Sequence, residues 1–189
     1  MNKTLSLILS SALLPVLAFA AQETYRIDPV HSGVSFSIRH FFTKVPGSFG
    51  TFSGELVFDK DNLANTIATA EIDVASVNTH NADRDKHLLN DDFFSADRFP
   101  KMTFTSTNWK ALGENQFEVQ GDLTIRDVTK PVTLAVQLLG IGEGMGGKQI
   151  SGWDASVTID RREWGITYGQ GVVGNEVEIT LNIQAHLLP

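Results

Sequence analysis

Beyond residue 21 the apolar positions of this chain recur with a period of two. The C-terminal run is the clearest: Val177, Ile179, Leu181, Ile183, Ala185 and Leu187 alternate with Glu178, Thr180, Asn182, Gln184 and His186. In an extended strand that alternation turns one face to a core and the other to water. The pattern recurs at 34–38, 52–58, 68–74, 102–104, 117–125, 132–138 and 153–159, with turn-forming residues between, and a short 24–28 segment adds a ninth piece. Segments of this kind read as antiparallel β-structure. About eight consecutive strands predict an all-β fold, an up-and-down antiparallel barrel, because closure removes the edges a long open meander would expose; a two-sheet sandwich is the alternative. At that strand number the interior either fills with side chains or holds one small ligand.

One stretch interrupts the meander. Asn81 is placed to cap a helix, with Asp83 and Asp85 in its first turn, and the spacing predicts a short helical insert near residues 81–96. The connection is longer than a hairpin needs, and Phe93, Phe94 and Phe99 must pack on something. An element of this kind at a barrel rim would serve as a lid or lip.

The first residues follow another logic. Lys3, the apolar run 5–14 diluted by serines, Pro15 and the small residues of Ala18-Phe19-Ala20 form a cleavable secretory signal, so residues 1–20 are expected to be removed and 21–189 to form one mature domain in the periplasm. The run is shorter than the ~20 apolar residues of a membrane span and is followed at once by Gln22 and Glu23, which disfavours stable membrane insertion. Cleavage leaves 14 basic against 22 acidic side chains, a formal charge of −8, so nucleic acid is not an expected partner. With no Cys in the chain, disulfides, thiolate chemistry and Cys-based metal sites are excluded.

The remaining chemistry is sparse. His31, His40, His80, His87 and His186 are scattered, and none falls in a metalloprotease spacing. His80, Asp83 and His87 could share a helix face and hold zinc with an open position; the plainer reading makes the aspartates helix-capping charges and the histidines rim residues. No G-x-S-x-G elbow is present. Asp91-Asp92 and the segment from Asp160 to Glu163 read as solvated turns, and the glycine-rich loops around Gly140–Gly147 and Gly169–Gly174 do not lead from a strand into a helix as a phosphate cradle requires. No catalytic residue, cofactor or metal is therefore expected. The abundant Phe, Ile, Leu and Val of the inner face suit a cavity for an apolar ligand and equally suit a filled core; periodicity leaves both open.

Several motifs in fixed order then point to a family. They are Tyr25-Arg26-Ile27-Asp28 with His31-Ser32; residues 34–40 as VSFSIRH; residues 47–54 as GSFGTFSG; Arg84-Asp85-Lys86-His87-Leu88 with Asp92-Phe93-Phe94; Phe99 to Phe104; 123–125 with 128–132; and Arg161 through Gly165. Across nearly the whole mature chain this resembles the YceI-like family of secreted bacterial lipid-binding proteins. The resemblance implies an extended eight-stranded lipocalin-like barrel that holds a polyisoprenoid lipid in its bore, usually as a homodimer, and it carries over no catalytic residue. On that footing Phe36, Ile38, Ile72, Val74, Phe104, Val136 and Ile179 are expected to contact the ligand. Arg39, Arg84 and Lys86 are the candidates for an anionic head group such as a diphosphate, whereas a quinone head needs no such cluster. Two other readings stay open: an enzyme acting on an isoprenoid or ester through His40 or His87, and a packed barrel with a structural or stress-related role and no ligand.

Overall fold

The computed structural model describes residues 22–189, so the signal segment expected at 1–20 lies outside the described residues. The chain runs β1 (Glu23–Ile27), β2 (Gly33–His40), β3 (Thr43–Phe49), β4 (Phe52–Phe58), β5 (Ile67–Asp73), β6 (Val77–Asn78), α1 (Ala82–Leu88), β7 (Lys101–Gly113), β8 (Gln116–Ile125), β9 (Val128–Glu143), β10 (Gln149–Asp160) and β11 (Val173–Leu187). These eleven segments make eight staves, because three staves are broken. β1 and β2 meet at a corner through Asp28 to Ser32, β3 and β4 meet at Gly50-Thr51, and β5 and β6 are joined by a single 3-10 turn, Val74–Ser76.

Every ladder is antiparallel, and β11 closes the ring. Its first part pairs with β2, placing Val177 opposite Ile38 and Ile179 opposite Phe36, while its last part pairs with β1, placing Leu187 opposite Tyr25. The sheet thus closes on itself as a barrel rather than splitting into the two layers of a sandwich.

Two strands do not appear in the alternation of the sequence. β6 is only two residues long, and β3 reads TKVPGSF, in which Pro46 and Gly47 break the pattern. A proline lacks the N–H that a central strand must donate and is confined to strand edges. β3 satisfies that limit: Pro46 pairs with Ser37 of β2, but β6 reaches β3 only at Ser48 and Phe49. Among the described residues the upper part of the β2–β3 hairpin therefore has a free edge.

The insert is shorter than the sequence suggests. α1 ends at Leu88, and residues 89–98 continue as turns in which the Phe94 N–H donates to the Leu88 carbonyl and Ser95, buried, sits in the left-handed region. Its start is as expected, with the Asn81 side chain accepting from the Arg84 N–H and Asp83 and Asp85 in the first turn.

Two hydrophobic cores form, one toward each end of the barrel. One gathers Tyr25, Phe58, Trp109, Phe117 and Trp153, with the Phe58 and Trp153 rings edge to face at 5.1 Å. The other gathers Phe49, Val74, Met102, Ile159 and Trp164 beneath α1 and the turns that follow it. Aromatic pairs in such tilted and edge-on arrangements add about 0.5–1.5 kcal/mol each beyond the area they bury.

Candidate functional site

Between the two cores lies an elongated cavity of about 710 Å³. It falls in the range of roughly 300–1,000 Å³ typical of small-molecule sites. Each stave contributes alternate residues to its wall. On β11 these are Val173, Val177, Ile179, Leu181, Ile183 and Ala185, while Glu178, Thr180 and Asn182 between them are exposed on the outer face. Apolar residues inside and polar residues outside invert the polarity of a transmembrane β-barrel, whose lipid face is outward. From Val173 to Ala185 the wall runs ~40 Å along the strand at about 3.3 Å per residue, or ~30 Å along the axis of a barrel with strands tilted by about 40°.

The deep end rests on Trp109, Val119, Val136, Trp153 and Ala185, all buried. At the other end the wall residues include His40, Arg84, His87 and Tyr168, and the exposed surface of these side chains marks the mouth. Local packing shapes the wall as well. Glycines 47 and 121 lie under the rings of Phe36 and Phe104, where a Cβ would collide with the aromatic carbons, so both rings lie against the strands instead of standing into the bore.

Six of the seven residues expected to meet a ligand, namely Phe36, Ile38, Ile72, Phe104, Val136 and Ile179, line this cavity. Val74 does not. The Asp73 side chain accepts from the Ala75 N–H and starts the 3-10 turn, which rotates Val74 off the wall and into the core under α1, where it is 1% exposed. Strand periodicity cannot be carried past the residue at which the strand ends.

The three cations do not converge. Arg84 lines the mouth, where its Nε donates to the Thr79 hydroxyl and its Nη2 to the Thr79 carbonyl, both at 2.7 Å. Arg39 alternates to the outer face of β2 and donates through Nη1 to the Phe41 carbonyl. Lys86 is exposed on α1, away from the wall.

A fourth cation is missed by sequence reading. Arg161 is 4% exposed, lines the cavity and donates to the carbonyls of Gly174, Ile166 and Val173, fastening the segment that crosses the mouth before β11. Burial holds its pKa below the usual arginine value. Next to Arg162, which chelates Asp160 in the open, it reads in the sequence as one more turn residue.

The histidines disperse. His80 precedes the cap of α1 in the left-handed region, and His87 meets Asp92 at 2.9 Å, with its ring edge-on to Phe93 and Tyr168 at 5.1 Å each. Hence the shared helix face considered for zinc does not form, and no three ligating side chains among the described residues come together for a metal. His31 and His186 both engage Asp28 at the β1–β2 corner, with Nδ1 of His31 at 2.6 Å and Nε2 of His186 at 3.1 Å from the same carboxylate oxygen. Those contacts, with the Val30 N–H, hold the Asp28 carboxyl well below the usual carboxylate range. Near the deep end, burial and the Glu23 carboxylate push the Tyr25 phenol up to about 12.

Known proteins resemble this chain, some in sequence and some in fold. A UPF0312 protein of Yersinia enterocolitica is 37% identical over 186 residues, covering 97% of this chain and 96% of its own. Protein YceI of Shigella flexneri is 34% identical over 187 residues, with 97% of each chain covered. BcnA of Burkholderia cenocepacia superposes with a TM-score of 0.76 at 27% identity, over 84% of this chain and 98% of that one. A polyisoprenoid-binding domain from Saccharophagus degradans shares the fold at 17% identity and a TM-score of 0.66, over 87% of this chain and 98% of that one. The YceI-like domain itself matches residues 25–185, from the buried Tyr25 that opens the ring to the Ala185 that closes it, and this chain belongs to that family.

Proposed function

We propose that this protein is a periplasmic carrier that holds a polyisoprenoid, or a similar long-chain amphiphile, in the barrel bore without acting on it chemically. The observation that carries the reading is the long apolar cavity whose mouth bears a few polar side chains. Burying a methylene releases about 0.8 kcal/mol, so each five-carbon isoprene unit drawn into the bore contributes about 4 kcal/mol before the ordering cost of binding. The polyisoprenoid-binding domain among proteins of the same fold supports the ligand class, and the sequence features of residues 1–20 support export.

The mouth favours a neutral head group. An anionic diphosphate in a chain whose formal charge is −7, or −8 after the expected cleavage, calls for several converging cations, yet of Arg39, Arg84 and Lys86 only Arg84 reaches the cavity and its guanidinium already serves Thr79, while Arg161 in the same wall is engaged with three backbone carbonyls. A quinone-type head needs only a few donors. A prenyl diphosphate held through Arg84 is the second reading, and unchanged diphosphate affinity in Arg84→Ala would remove it.

The test is native mass spectrometry of protein released by osmotic shock without detergent, followed by organic extraction. The expected result is a stoichiometric prenyl lipid with a quinone head. An empty protein that also refuses added prenyl quinone and prenyl diphosphate would overturn the carrier reading, and turnover of a bound isoprenoid ester lost on substituting His40 or His87 would replace it with an enzyme. We further propose a homodimer, in line with the family resemblance, which sedimentation equilibrium measures directly.

A further inference from the structure

Beside the mouth, the β2–β3 hairpin turns through Phe41 and Phe42, the two residues between the paired His40 and Thr43. Two-residue hairpin turns favour Asn-Gly or Asp-Gly, because at least one residue must take a positive φ. Here Phe41 takes it, at φ 49°, a conformation strained for a bulky side chain. The strain is held from two sides: the Phe41 N–H donates to the Val172 carbonyl at 2.8 Å, and Arg39 donates to the Phe41 carbonyl at 2.7 Å. The result is an aromatic pair turned outward, Phe42 99% exposed and Phe41 51% exposed. Next to it, His40, Val45 and Val172 belong to the cavity wall, so the tip stands at the rim of the bore.

The chain around this tip is free of acidic residues. In a strongly acidic chain no Asp or Glu occurs between Asp28 and Glu55, while Arg39 and Lys44 flank the two phenylalanines. Lys44 meets Glu178 of β11; Arg39 has no carboxylate partner among the described residues. Exposed aromatics bracketed by basic residues suit the interface of an anionic bilayer, where rings enter the headgroup boundary and cations meet the surface potential.

We infer that the Phe41-Phe42 tip is a membrane-docking element that seats the mouth of the barrel on an anionic phospholipid surface, reversibly and without spanning it. Docking there gives an apolar ligand a path between bilayer and bore that avoids open water. The docking step itself does not depend on which ligand, if any, the bore holds.

The experiment is co-sedimentation of the processed full chain with vesicles of phosphatidylcholine alone and of phosphatidylcholine with phosphatidylglycerol, all free of prenyl lipid, so that failure of the carrier reading leaves the result unaffected. The wild type is expected to pellet with the anionic vesicles, and less so as salt rises. The double variant Phe41→Asn with Phe42→Gly is expected to lose at least about tenfold in partitioning, while its melting temperature stays the same or rises, since the turn strain is relieved. Arg39→Gln is expected to weaken binding to anionic vesicles about fivefold, with the difference from wild type shrinking as salt rises. Wild type remaining in the supernatant with both vesicles, or the double variant pelleting like wild type, would overturn the inference. So would a dimer in solution that the double variant dissociates, which would give the tip to a second copy of the chain.

Discussion

Ala155 lies midway along β10, opposite Leu181 of β11 and Val136 of β9, and all three face the bore. Replacing it with leucine adds three carbons to a wall that borders about 710 Å³ of space. At about 0.8 kcal/mol per buried carbon the gain is ~2.4 kcal/mol, reduced to about 1.5 kcal/mol by the leucine rotamer entropy lost. For a domain of this length that corresponds to a rise in Tm of about 3–6 °C. The same substitution in a filled core would overpack it and lose about 1–3 kcal/mol, so the sign of the change separates an open bore from a packed one. Ligand binding should move the other way. Three carbons of side chain displace about three of ligand, weakening Kd by ~2.4 kcal/mol, or roughly 60-fold. The assay pairs thermal unfolding of the ligand-free protein with titration of a short-chain prenyl quinone, followed through quenching of Trp109 and Trp153, which line the deep end. A fall in Tm together with unchanged quinone affinity would refute the reasoning: the bore would be filled at this level and no ligand would pass it.

Three further outcomes follow from the geometry. Because the His31 and His186 contacts depress the Asp28 carboxyl, its contribution to stability is present above about pH 4, the ordinary carboxylate value, and is lost as the pH falls below it; Asp28→Asn should therefore lower Tm at neutral pH and make the acid decline shallower, as melts across pH 2–7 would record. Arg161→Ala leaves the carbonyls of Gly174, Ile166 and Val173 without their donor, which should cost about 3 kcal/mol in denaturant unfolding and expose the 165–172 segment to proteolysis. Gly121→Ala sets a Cβ against the Phe104 ring and the Thr105 carbonyl, so a loss of about 1–3 kcal/mol is expected, with Phe104 pushed into the bore and quinone affinity reduced.

Much of this molecule is legible in the order of its residues, because in a strand the side-chain period is two whatever the rest of the fold does. The alternation from Val177 to Leu187 alone assigns β11 an inner and an outer face, and Asn81 with its following aspartates marks the start of α1. Six of the seven expected wall residues fall on the cavity for that reason. Where a local event ends the period, the pattern loses its meaning: the 3-10 turn removes Val74 from the wall, and Pro46 hides β3 because its compatibility depends on whether a neighbour needs its missing N–H. Whether the bore is open or filled was beyond alternation, since the same inward residues serve both; the volume between the two cores depends on ring closure and on Phe36 and Phe104 lying back over glycines 47 and 121. Only the tertiary structure could place the cations, because whether Arg39, Arg84, Lys86 or Arg161 meets the mouth depends on which carbonyls and hydroxyls the closing loops bring to each guanidinium or ammonium group.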